Sequence, residues 1–250
     1  MSKKAWIIFA VICVAVLGGL AYLSSKDRVD VSNVDVNTLQ NGSDKDGNIG
    51  DHIYGKKDSK VVMIEYGDFQ CPGCESAYPT LKAVSEKYKD QIAFVFRNFP
   101  LTDKHPNAKA AAAAAEAAGL QGKYWEMHNL LYDNQSSWEN LDSSKRVDFF
   151  KDNAKQLGLN VATFTQDLTS SKVNQKIVFD QALGRKANVT ATPTILLNGK
   201  QADQSVLNGK IVEANTSGAQ LIWTDTTSFD QLLIVPLLKE KGIALPDAAQ

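Results

Sequence analysis

Apolar positions follow one another without interruption from Val61 to Ile64 and close on Glu65-Tyr66, the pattern of a strand buried on both faces. After the cysteine pair the spacing becomes helical. Between Glu75 and Lys89, Ala77, Leu81, Val84 and Tyr88 fall on one face. A second strand is predicted from Ile92 to Arg97, completing a β–α–β unit whose parallel pairing should be right-handed. The pattern then stays helical. Pro106 to Gly119 holds the alanine run Ala110 to Ala115 and ends on a glycine stop. Further helices are predicted over about 123–133, 143–157, 161–170 and 171–186. Strand character returns at Thr194-Ile195-Leu196-Leu197 before an Asn198-Gly199 turn. The chain remains β-prone to Trp223, with turn signals at Asn208-Gly209 and Ser217-Gly218, and a last helix spans about Ser228 to Lys241. The order predicts an α/β domain over 51–245: a β–α–β half, a helical insertion over about 102–187, and a β–β–α half.

The first part of the chain follows a different pattern. Ala5 to Leu23 carries no charge and is preceded by Lys3 and Lys4. As a helix it would rise roughly 28 Å, close to the thickness of the hydrocarbon layer. A cleaved signal peptide and an uncleaved signal anchor both fit. The stretch exceeds the ~7–15 residues of a signal-peptide core, and Tyr22 and Leu23 make a poor cleavage site, so a single-pass transmembrane anchor over 5–23 is expected. Residues 1–4 then stay in the cytoplasm and the domain lies outside. Cys13, in mid-span, reads as a small apolar residue. Residues 24–50 are rich in Ser, Asp, Asn and Gly with no sustained apolar period, and are expected to form a flexible linker.

Composition narrows the function. A formal net charge of −1 gives no basic surface for nucleic acid. Three cysteines are too few for a disulfide-stapled scaffold. Two of them form Cys71-Pro72-Gly73-Cys74 between a strand and a helix. There the first cysteine meets the unpaired N–H groups and positive end of the helix, which favour its thiolate. The second lies one turn in, placed to close a disulfide with the first or to resolve a mixed one. Pro72 suits the first turn because its missing N–H would have no partner there. Half of a zinc site would need two more ligands; no second Cys-x-x-Cys exists, and His52, His105 and His128 have no ligand-like spacing. No metal and no cofactor is therefore expected. A purely structural disulfide in so short a loop would constrain little of the unfolded chain.

Glu65-Tyr66-Gly67-Asp68-Phe69-Gln70 leading into the pair resembles the active-site segment of DsbA-like thiol–disulfide oxidoreductases, members of the thioredoxin superfamily. Arg97 to Leu101, the alanine-rich helix, Gly122 to His128 and Thr192-Pro193-Thr194 resemble that family in the same order, from about Asp51 to Gly199. The resemblance implies a thioredoxin fold with a helical insertion. It implies Cys71 as the nucleophile and Cys74 as the resolving partner. It makes Pro193 a cis-proline facing them, with Thr192 offering its backbone to an extended substrate beside Pro72 and Gly73. A plain turn proline is the alternative for Pro193. Glu65 matches a buried carboxylate beneath the pair. Read from the residues alone, it is a proton-transfer group, an exposed strand end or a partner for a lysine. Asp68 is expected to cap or turn the chain, and Trp125 and His128 to be packing or surface residues of the helical block.

The dipeptide departs from DsbA, which carries a histidine there; its absence argues for a less extreme thiol and a less oxidising couple. Such couples span roughly −120 to −270 mV. Residues 201–227 are longer and more polar than a compact hairpin and either shield the site, bind a partner or form a neutral insertion. The expected activity is disulfide formation or isomerisation in reduced or misoxidised exported proteins, regenerated by a membrane redox partner. A disulfide reductase and a non-enzymatic chaperone or adaptor are the alternatives.

Overall fold

The computed structural model describes residues 6, 9, 11–19 and 29–246. Residues 11–19 are helical and expose Val11, Ile12, Val14, Val16 and Leu17. The expected span over 5–23 lies partly outside the described residues, among which no helix is long and apolar enough to cross a membrane. Residues 1–4 lie wholly outside them.

Strand β2 (Val62–Gly67) is buried along nearly its whole length, as its unbroken apolar run requires, and lies in the middle of a five-stranded sheet ordered β1-β3-β2-β4-β5. It pairs parallel with β3 (Ala93–Asn98), in a register that sets Glu65 beside Phe96, and antiparallel with β4 (Thr194–Leu197). The crossover between β2 and β3 is helix α1 (Pro72–Lys87), which buries Cys74, Ala77, Leu81 and Val84. The sheet is extended by β1 (Ile53–Gly55) on β3 and by β5 (Lys200–Gln201) on β4, both antiparallel. Strand β1 is too short for period alone to reveal, and the sequence reading missed it.

The insertion consists of α2 (Ala108–Gly119), α3 (Tyr124–Asp133), a short α4 (Gln135–Trp138), α5 (Ser143–Gln156), α6 (Val161–Asp167) and α7 (Ser171–Lys186). Its alanines let α2 pack at backbone distance, and nearly all of that helix is buried. Its core joins that of the redox segment, since Phe69, Cys71, Cys74 and Phe96 share one apolar cluster with Trp138, Phe150 and Phe164. After β5 the chain does not form one long hairpin. Strands β6 (Ser205–Leu207), β7 (Lys210–Val212) and β8 (Gln220–Leu221) make a separate sheet ordered β7-β6-β8. Asn208 and Gly209 supply positive φ values of 52° and 72° at its tight turn. The chain closes with α8 (Thr226–Phe229), a π-helical turn Asp230–Ile234 and α9 (Val235–Glu240).

Residues 29–50 correct the expectation of a flexible linker. Val31, Asp46 and Ile49 are buried, and Lys186 donates to the carbonyls of Val31, Ser32 and Val34. Buried Arg97 reaches from β3 to the carbonyls of Val36 and Thr38, to the Tyr66 hydroxyl and, at 2.8 Å, to Asp51. Lys176 bridges Asp51 and Asp180 at 3.3 and 2.7 Å. Composition concealed this because the apolar anchors Val31, Val34, Val36, Leu39 and Ile49 are scattered without a period, and much of the rest is held through its own carbonyl groups. Burial opposes the charge on Asp51, but Arg97 and Lys176 outweigh it and hold its carboxyl at about 2. Arg97→Met leaves the carbonyls of Val36 and Thr38 without their buried donor and leaves the Asp51 carboxylate with only Lys176 and the Gln40 N–H. It is expected to lower the unfolding free energy in urea by about 3–5 kcal/mol. Because the Asp51 pKa is depressed, its share of stability is present above the unfolded value of ~3.9 and fades as pH falls toward 2.

Candidate active site

Cys71 is the N-cap of α1, with extended dihedrals of −77° and 124°, and Pro72 and Gly73 open the helix behind it. The chain reaches this point through a turn fixed by Asp68. Its Oδ1 accepts from Gln70 N at 2.8 Å and its carbonyl accepts from Cys71 N at 3.0 Å. The backbone N–H groups that a helix start leaves free therefore lie around the Cys71 sulfur. Cys71 is 8% exposed and Cys74 is fully enclosed, and both are free thiols.

The loop before β4 lies against them. The Thr192–Pro193 peptide is cis. A Cβ at Gly73 would stand 3.1 Å from Pro193 Cδ and 3.6 Å from Cys71 Sγ, so the missing side chain is what lets the two loops approach. In its protonated form the Cys71 thiol donates to the Thr192 carbonyl at 3.4 Å.

The two thiols are driven apart in acidity. The largest cause at Cys71 is the hydrogen bond it receives from Cys74. Burial works against ionisation, but the Thr192 side chain and the N–H groups of Cys74 and Gly73 add to the stabilisation and bring its pKa to about 5. Burial pushes the Cys74 thiol well above its ordinary value, and its bond to Cys71 and the nearby Glu65 carboxyl act in the same direction. Glu65, at 2% exposure, lies beneath the pair. Burial first and the Cys71 charge second raise its carboxyl to about 8, offset in part by its contact with Cys74. A Cβ at Gly67 would meet the Phe96 ring at 2.2 Å and Glu65 Oε1 at 2.9 Å, so a glycine is needed to seat that carboxyl. One proton donor, one buried thiol and one thiolate thus sit in sequence.

The thioredoxin (Thioredoxin_4) family model matches residues 47–213, which contain the cysteine pair, Glu65 and the cis-proline. The chain belongs to the thioredoxin family. Among solved structures, oxidised BdbD from Bacillus subtilis shares its fold with a TM-score of 0.57 and 21% identity, over 82% of this chain and 97% of that one. Wolbachia pipientis alpha-DsbA1 gives 0.56 and 24% identity, over 76% and 92%. In sequence, 151 residues are 38% identical to part of the Na(+)/H(+) antiporter NhaA 1 of Mycolicibacterium vanbaalenii, covering 60% of this chain and 23% of that protein. The chain thus spans under a quarter of the length of that relative.

This thioredoxin-family site gathers Cys71, Cys74, Pro72, Gly73, Thr192, Pro193 and Glu65 in one place. It also contains groups that sequence reasoning missed. Gln135 Nε2 donates to the carbonyls of Phe69 and Cys71 at 2.7 and 3.3 Å. Gln70 donates to the Glu139 carbonyl and accepts from Asn107 N, each at 2.7 Å. Asp68 Oδ2 accepts from Leu101 N and meets His105 Nδ1, both at 2.8 Å. The helical insertion therefore clamps the loop that carries the nucleophile. Long-range partners of this kind leave no period or spacing to read, and Gln70, next to Cys71, was the one visible clue.

Proposed function

We propose that this chain is a protein-disulfide oxidoreductase that forms or isomerises disulfides in exported proteins. The acidity difference between exposed-edge Cys71 and buried Cys74, with Glu65 behind them, carries this reading. A substrate thiolate attacks Cys71 Sγ of the oxidised pair. The Cys71–Cys74 bond breaks, and Cys74 leaves with the electron pair and takes a proton from Glu65. The second substrate thiolate then attacks the mixed disulfide and expels Cys71 as a thiolate, which is a good leaving group because its pKa is about 5. The substrate loses two electrons and the pair gains them; a membrane redox partner removes them again. The edge around Thr192 and cis-Pro193 offers an extended substrate a backbone to pair with.

The apolar run over 5–23 supports attachment to the cell membrane through a single span, with the domain on the extracytoplasmic side. An oxidising compartment suits this direction of transfer. The decisive experiment is a glutathione-poised titration of the full chain, following the Cys71–Cys74 disulfide. A potential well above thioredoxin's roughly −270 mV is expected. A value at or below it would assign the pair to the reverse reaction, reduction of exported disulfides.

A further inference from the structure

Glu65 also lines a cavity of about 20 Å³ that neither cysteine lines. Around it stand Glu65, Tyr78, Lys82, Trp125, His128 and Asn129. Three of these carry a buried polar atom that has no partner in the protein: Glu65 Oε1, Trp125 Nε1 and His128 Nε2. Buried polar atoms are almost always paired, so three around one small space need a common explanation. A space above ~10–15 Å³ holds one water if two to four polar groups can bind it. The chemistry of the three is complementary. His128 Nδ1 lies 3.1 Å from Asn129 Oδ1, an acceptor, so Nδ1 carries the ring proton and Nε2 is left with a lone pair. Trp125 Nε1 can only donate. Water between them accepts from Trp125, donates to His128 and still has one donor and one acceptor site for the Glu65 carboxyl.

We infer that His128 Nε2 and Trp125 Nε1 hold a water against Glu65, and that this water carries the proton between the Glu65 carboxyl and solvent during each redox cycle. The inference rests on the proposed role of Glu65 and extends it. When the dithiol is re-oxidised, Cys74 gives its proton to ionised Glu65 as its sulfur attacks, and the carboxyl passes that proton to the water. When the disulfide opens, the water returns a proton to Glu65. The outer end of the cavity is formed by exposed Glu86 and half-buried Lys82 and Asn129, where the water meets bulk solvent. His128 is a positioning residue: burial presses its pKa down to about 4, so it stays neutral and accepts the hydrogen bond without taking the proton. The 5.0 Å ring contacts of His128 with Trp125 and Phe96 fix its orientation.

The test is the pH profile of re-oxidation of the dithiol by oxidised glutathione, after the Cys71 thiolate is fully formed. The titratable groups facing the cavity are Glu65 and Tyr54 from the sheet, Tyr78, Lys82 and Glu86 from α1, and His128 from α3. Of these, Glu65, at about 8, provides the rising limb. His128→Phe removes the acceptor and the carboxyl loses its water. Its rate at pH 7 should fall about tenfold, and the limb should move up by about one pH unit. His128→Gln, which restores an acceptor near Nε2, should run close to the parent. An unmoved limb in H128F, or H128Q as slow as H128F, would overturn the inference. Glu65→Gln separates the two readings: a limb that survives E65Q removes Glu65 itself from the mechanism. In the unsubstituted protein, ¹⁵N shifts of His128 should show a protonated Nδ1 and a bare Nε2. A protonated Nε2 overturns the inference even if no variant folds.

Discussion

Cys71→Ser is expected to lower disulfide transfer to a reduced, unfolded substrate by at least about a thousandfold, because a serine hydroxyl neither ionises near neutrality nor forms the mixed disulfide. Cys74→Ser should have a different effect. Its Cys71 thiolate can still attack a disulfide of an oxidised substrate, expelling one substrate sulfur as a thiolate and forming a mixed disulfide, but no thiol behind it resolves the bond. The protein should accumulate as a covalent adduct with substrate that non-reducing electrophoresis displays directly. The contrast follows from the 8% exposure of Cys71 and the full enclosure of Cys74. Equal trapping through either cysteine would contradict the assigned order of attack.

The second large effect concerns ionisation. With a pKa of about 5, Cys71 is about 90% thiolate at pH 6, whereas an ordinary thiol near 8.5 is about 0.3% ionised. Alkylation by iodoacetamide at pH 6 should therefore reflect a thiolate fraction about 300-fold above that of an unperturbed cysteine, offset by a roughly 25- to 60-fold lower intrinsic nucleophilicity, for a net rate about 5- to 12-fold higher. The rate should level off above about pH 6 and fall below pH 5, with absorbance at 240 nm following the same curve. The direction of the shift also fixes its linkage to stability. A depressed pKa favours the folded dithiol above the unfolded pKa, and the benefit is lost as pH falls through about 5. The disulfide has no such thiolate, so acid should destabilise the reduced protein relative to the oxidised one.

The pair, its helix and the parallel strands were legible because they depend on local signals. Val61 to Ile64 has the short, β-branched apolar run of a strand with both faces covered, and Pro72 suits a first turn. The alanine run gave a helix whose close packing the structure shows. Glu65 was visible as an anomaly at the end of an apolar strand, although its burial and its raised pKa depend on Phe96, Cys71 and Cys74 brought to it by the fold. Gln135 and Asn107 were not legible, since side chains that bond carbonyls 32 to 66 residues away in neighbouring elements leave no local mark. The largest miss was the segment 29–50. Its polar composition reads as disorder until Arg97 and Lys186 are seen to hold its carbonyls.

The fastening of residues 29–50 sets the length of a leash. If the apolar run through Leu23 spans a bilayer, only about five residues, 24–28, separate it from the fastened chain, a reach of at most ~20 Å. A loose linker through Gly50 would have wandered over a root-mean-square distance of roughly 30 Å and stretched much farther. So anchored, the domain would hold Cys71 within about one domain diameter of the lipid surface. A redox partner in the same bilayer would then be met by diffusion in a plane. Newly exported chains would be met chiefly while they are still emerging, before distance and folding hide their thiols.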